Sequence, residues 1–261
     1  MTTEDSPRTL KTVETTVEII WELEKLDGAT VTELSNRLDL SKGAVYNHLA
    51  TLKQQHLVVQ NDTTYNLSLH FQTLGEYVKH NTPLYNAGKQ EIDRLAEETG
   101  EYAHLMAEEY GRGIHAYKAS GENAVGKQYH LLNLEQPDHL HFTATGKSVL
   151  AYLDDEKVDW IIDEYGLPQQ TENTITSRDE LRDALASVRE QGYAVNDEEE
   201  ITGLRAVGAP IRDSDGDVRG AISVSAPISR LKGETFESEL PEKVIQAANV
   251  IELNLETSSM E

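Results

Sequence analysis

The chain has 261 residues, no cysteine, and 46 acidic side chains against 23 lysines and arginines, for a net charge of -23 at pH 7. The lack of cysteine excludes disulfides, thiolate nucleophiles and cysteine-ligated zinc, and no run approaches the ~18 apolar residues of a membrane span. The polar start, MTTEDSPRTLKTVETT, lacks the apolar stretch of a signal peptide, so the expectation is a cytoplasmic protein of one large or two modest domains with no membrane partner.

The acidic balance has two readings. One is repulsion of polyanions such as nucleic acid. The other is the surface habit of organisms with a salt-filled cytoplasm, a haloarchaeal-type composition. The acids are spread along the chain, lysine is sparse and apolar periodicity is intact, which favours the second. Net charge then says little about partners, because the Debye length at molar salt is only ~3 Å.

Residues 9–27 carry Val13, Val17, Ile20, Trp21 and Leu23 at helical spacing. In the helix that follows Gly28, Thr32 can cap, and Leu34, Leu38 and Leu40 point inward. Ser41 is a good N-cap for a third helix with Val45, Leu49 and Leu52 on one face. Alternation on either side of Asn61-Asp62 then reads as a hairpin. Three helices and a hairpin outline a winged helix-turn-helix over 1–69. Residues 70–99 continue as helix, broken near Asn81-Thr82-Pro83 because proline cannot continue it. The segment 70–82 is read as a linker helix and 83–261 as a second domain. That domain opens with two strands around a Gly-Arg-Gly turn. Helices follow at GKSVLAYL, EKVDWIIDEYG and SRDELRDALASVREQG, then two long strands joined at Asp215-Gly216, then a closing amphipathic helix. The mixture is α+β, of sensor-domain type.

The second helix of a helix-turn-helix enters the major groove. Its candidate contact positions are Ser41, Lys42, Gly43, Ala44, Tyr46, Asn47, His48 and Lys53. Residues 41–60 contain two lysines and no acid, an unusual window in so acidic a chain. Asn47 suits adenine and Lys42 guanine or phosphate; Tyr46 and His48 suit phosphate or sugar. A three-helix core with a neutral face is the alternative, since winged helices also serve as protein contacts.

The stretch HFTATGKSVLA holds a Gly-Lys-Ser, yet a nucleotide phosphate loop needs a second glycine five residues before Gly146, and His141 stands there. No Gly-x-Ser-x-Gly elbow supports Ser–His–acid catalysis. His139 and His141 would share one face of an extended strand at metal-compatible spacing. Five of the nine histidines, His130 among them, lie between 104 and 141. Isolated strand histidines usually hydrogen-bond instead, so no metal and no cofactor is expected.

TVTELSNRLDLSKGAVYNHLATLKQQHLVVQNDTTYNL resembles the DNA-binding half of the IclR family of transcriptional regulators. LHFTATGKSVLAYL, GYAVNDEEEITGLRAVGAPI and GAISVSAPISRL resemble landmarks of that family's effector-binding half, in the same order. The resemblance runs from about residue 10 to 257. It implies a winged helix, a linker helix and a C-terminal GAF-like effector-binding domain. It also implies a homodimer, often doubled to a tetramer, that binds double-stranded operator DNA under a small-molecule effector such as an organic, aromatic or sugar-derived acid. In the family the loop before the Gly-Lys helix closes over the effector. Ala144, Thr145 and Gly146 would then offer N–H groups to a carboxylate at a helix N-terminus, with Lys147 outward or capping. Ser223 and Ser225, two apart on a strand, match effector-contacting residues and face one side. Asn196 stands where some members carry an aspartate, and Ala206 where some carry a cysteine. Glu199 matches a characteristic glutamate, with Arg205 as its expected neighbour. The competing reading is an enzyme acting on a small acid in the C-terminal pocket, with the winged helix as a dimer contact.

Overall fold

A computed structural model describes residues 8–125 and 138–258. The chain divides into two compact units, 1–78 and 79–261. Among the described residues no helix is long and apolar enough to cross a membrane.

The first unit contains helices α1 (Lys11–Lys25), α2 (Val31–Leu38) and α3 (Lys42–Gln54). Its three-stranded antiparallel sheet has the order β1 (Ala29–Thr30), β3 (Thr64–Leu67), β2 (Val58–Asn61). The hairpin turns at Asp62, whose φ of 53° is the left-handed conformation an aspartate tolerates. Ile19, Leu23, Leu34, Val45, Leu49, Leu52 and Tyr65 form the core. The cap of α2 is Thr30 rather than Thr32: its hydroxyl accepts the Glu33 N–H while the Glu33 carboxylate accepts the Thr30 N–H, a reciprocal capping box. The turn between α2 and α3 passes through Asp39 at φ 52°, and Ser41 caps α3 by accepting the Ala44 N–H.

The inward face of α1 also differs from expectation. Thr15, Ile19 and Leu23 are buried, while Val13, Val17 and Trp21 are 55%, 42% and 55% exposed. The helix is apolar on two faces, and periodicity alone cannot say which one meets the core.

Helix α4 (His70–His80) ends before the break at Asn81-Thr82, and α5 (Pro83–Thr99) begins with proline at its first position. The second unit is built on an antiparallel sheet of order β5-β4-β8-β7-β6, comprising β4 (Tyr102–Glu109), β5 (Arg112–Ser120), β6 (Ala194–Asp197), β7 (Leu204–Arg212) and β8 (Val218–Pro227). The first hairpin turns at Tyr110-Gly111, and the ladder resumes at Arg112 instead of after Gly113. Alternation assigns the faces. Leu105, Val207, Ala209, Ile222, Val224 and Ala226 pack against α5 and the closing helix α9 (Leu240–Ser258). Met106 and Ala221 on the other face join the apolar sides of α6 (Ala144–Leu150), α7 (Asp155–Tyr165) and α8 (Arg178–Gln191).

Two glycines let α6 sit close to its surroundings. A Cβ at Gly146 would fall 2.2 Å from the Leu140 carbonyl oxygen, and one at Gly208 would fall 2.8 Å from the Ala144 backbone. The glycine of Gly-Lys-Ser is therefore a packing requirement.

Candidate functional site

In the first unit, α3 presents Lys42, Gly43, Tyr46 and Asn47 to solvent along one face, with Ala44 half-exposed beside them. Three other candidates are engaged within the unit. The Ser41 hydroxyl is the helix cap. The half-buried His48 turns toward α1, its Nδ1 2.8 Å from the Thr16 hydroxyl, so it does not point outward as the sequence reading supposed. Lys53, at the far end of the helix, donates to Gln60 Oε1 on β2 at 2.9 Å.

In the second unit a cavity lies between the start of α6 and the sheet. Its walls include Ala144, Thr145, Asn196, Ala206, Ser223 and Ser225, and the space free between them is small, about 40 Å³. The two serines line it because Ile222, Val224 and Ala226 take the opposite face of β8. Ala144 and Thr145 open α6, where backbone N–H groups have no partner inside the helix. The Gly146 N–H is different: it donates to the Thr143 hydroxyl at 2.9 Å, and Gly146 does not line the cavity.

The remaining wall was not read from the sequence. His104, His115, Lys118, Asp138 and Glu200 all line the cavity. His104 Nε2 lies 2.9 Å from the Ser225 hydroxyl, and His115 Nε2 2.9 Å from Asp138 Oδ2. Burial pushes the Lys118 ammonium down to about 8, opposed by Glu200 and Asp138. It pushes the Glu200 carboxyl up to about 7, with Asp138 adding to the rise and His115 and Lys118 opposing it. On an unbroken strand His115 and Lys118, three apart, would face opposite ways. Opposite the β4 step Leu105–Met106, β5 carries one extra residue, Ala116, and this bulge turns both side chains to the cavity.

Lys147 is buried, not outward, and its ammonium pairs with the buried Glu199. Arg205, the partner expected for Glu199, instead pairs with Asp197. Asn196 is fully buried: its Oδ1 accepts the Glu199 N–H at 2.9 Å and its Nδ2 donates to Glu200 Oε2 at 3.3 Å. His139 and His141 share no strand face, because Leu140–Phe142 forms a single 3₁₀ turn. His139 Nε2 lies 3.1 Å from an Arg112 guanidinium nitrogen, and His141 Nε2 lies 3.1 Å from the Pro168 carbonyl oxygen. Burial holds the His141 imidazole down to about 4, a neutral ring at pH 7. His130 lies outside the described residues.

Comparison with known proteins adds an independent line. Residues 76–253 match the family described as bacterial transcriptional regulator IclR C-terminal, and residues 14–59 match a helix-turn-helix family described as bacterial regulatory protein, arsR family. The chain is 44% identical to a probable HTH-type transcriptional regulator ArcR of Halobacterium salinarum, over 97% of this chain and 96% of the relative. It is also similar to the crystal structure of the Thermotoga maritima IclR, at 25% identity and TM-score 0.73, covering 95% of this chain and 99% of that one. An IclR homolog from Microbacterium hydrocarbonoxydans, crystallised with 4-hydroxybenzoate, shares the fold at TM-score 0.80 and 19% identity, covering 94% of this chain and 99% of that one.

Proposed function

Because the chain belongs to the IclR family of transcriptional regulators, we propose that it reads operator DNA with α3 and gates that binding with a small hydroxylated carboxylate held in the cavity of the second unit. It acts as a regulator rather than an enzyme, in the cytoplasm where its operator lies. On the DNA side, Lys42, Gly43, Tyr46 and Asn47 face the groove, with Ser41 and Ala44 at the helix start and His48 and Lys53 at the margin. The apolar stripe Leu10, Val13, Val17 and Trp21, exposed along one side of α1, supports a homodimer through this unit.

The observation that carries the effector reading is the convergence of Thr145, Asn196, Ser223 and Ser225 on one cavity. The Ala144 and Thr145 N–H groups lie at a helix N-terminus, which favours an anion. Lys118, also in the cavity wall, supplies a formal positive charge. Asp138, Glu200 and Asn196 offer acceptors suited to hydroxyl groups. The serine and threonine hydroxyls, the Asn196 amide and the two carboxylates in the lining suit a hydroxylated acid. Gly146 and Ala206 shape the site by their small size.

Calorimetry of the full-length protein with D-gluconate and with 4-hydroxybenzoate tests this reading. Saturable binding of the hydroxy acid, lost on Ser223→Ala with Ser225→Ala, is expected. Tighter binding of 4-hydroxybenzoate would make the effector aromatic. A double variant that binds as well as wild type would remove the serines from the site.

A further inference from the structure

Lys147 and Glu199 form an ion pair with side chains only 5% and 9% exposed. Taking two charges out of water costs several kcal/mol per ion, and an apolar pair of similar volume is often as stable or more so. The pair is also incompletely satisfied. One Glu199 oxygen meets the ammonium, while the other, Oε2, is buried with no hydrogen-bond partner among the described residues. Burial pushes the Lys147 ammonium down and the Glu199 carboxyl up, each opposed by the charge of the other. Stability alone is a weak reason for such a pair.

Its place in the fold suggests another reason. Lys147 lies one turn into α6, whose first residues make one wall of the cavity. Glu199 lies in the turn after β6, and its neighbours Glu200, Ile201 and Leu204 make part of the facing wall. Asn196 ties this turn together internally through the Glu199 N–H and the Glu200 carboxylate. Thr174 and Thr171 hold its backbone, donating to the carbonyls of Glu199 at 2.6 Å and Glu198 at 2.7 Å. The ion pair is a direct polar link from this network to α6.

We propose that the Lys147–Glu199 pair is a positioning device: it pins the 198–203 turn to α6 and so fixes where Glu200 stands relative to the helix N-terminus and to Asn196, which the β6–β7 ladder already holds. The functional meaning of that distance rests on the effector reading given above. Neither side chain touches the cavity, so both act through their neighbours.

The test uses the full-length double variant Lys147→Met with Glu199→Leu, which replaces the charges by apolar groups of similar volume. Two measurements need no effector: amide hydrogen exchange across 196–204, and a carbon-13 titration of the Glu200 carboxyl. The expected result is a retained fold and melting temperature, turn amides exchanging at least ~10-fold faster through local opening, and a Glu200 midpoint displaced from about 7 toward its ordinary 4.5. If that chain does not fold, Lys147→Met with Glu199→Gln gives the same two measurements. Turn exchange and Glu200 titration unchanged from wild type would overturn the proposal. So would a uniform loss of protection through the second unit, which would make the pair a general stabiliser. Failure of wild-type protein to bind D-gluconate would count against the effector reading and leave the positioning result standing.

Discussion

Lys118 gives the cavity a pH dependence whose sign can be worked out. Its ammonium, held down to about 8 by burial, is charged at pH 7 and loses that charge as pH rises through about 8. Glu200, pushed up to about 7, gains a negative charge over the neighbouring range. The other titratable groups lining the cavity are Asp138, His104 and His115, and Asn196 donates to Glu200. Both titrations disfavour a bound carboxylate at higher pH, so D-gluconate affinity is expected to fall between about pH 6.5 and 9. Lys118→Met should bind more weakly at pH 6.5 and lose much of that fall; calorimetry at the two pH values decides, and a constant wild-type affinity would contradict it. The same Glu200 shift bears on folding. Its pKa is raised above the unfolded value of 4.5, so its contribution is fully present below 4.5 and is lost as pH rises through about 7. On the DNA side, Lys42→Ala and Asn47→Ala should each cost roughly 1–3 kcal/mol of operator affinity for a lost base contact, with melting unchanged because both side chains are exposed. A gel shift indistinguishable from wild type for both would show that another face reads the DNA.

At the scale of the element, α6 depends on a close approach. Gly146→Ala would place a Cβ 2.2 Å from a backbone oxygen, and relieving such overpacking costs typically 1–3 kcal/mol. A lowered melting temperature is expected. Gly43→Ala on α3, with open space around the added carbon, should instead raise helix stability by up to ~1 kcal/mol. Equal effects of the two substitutions would contradict the packing account. Elements were the most legible part of the sequence. The α3 cap at Ser41, the break at Pro83, the Asp215-Gly216 hairpin and the alternation of β8 all follow from local rules. What escaped depends on distant partners. Lys147 reads as solvated until Glu199, 52 residues away, is folded against it. The bulge in β5 puts His115 and Lys118 on one face, against the period of two. Two apolar faces on α1 left its inward side undecided, and the spare face is the one assigned to dimer formation.

For the whole molecule, assembly and gating are the properties at stake. Val17→Glu with Trp21→Glu removes the centre of the α1 stripe without touching the buried Ile19 and Leu23. Sedimentation should show a shift toward monomer with the fold intact, and an unchanged molecular mass would remove this face from the interface. Effector occupancy in the second compact unit and DNA affinity in the first are expected to be coupled. The direct measurement is fluorescence anisotropy of the full-length protein on a fragment of its own promoter, titrated with D-gluconate. An allosteric coupling of 1–3 kcal/mol corresponds to a change of about 5–150-fold in DNA affinity, and it should disappear in Ser223→Ala with Ser225→Ala while DNA binding itself persists. DNA affinity that does not respond to the acid, or a double variant that responds at the wild-type concentration, would contradict the account.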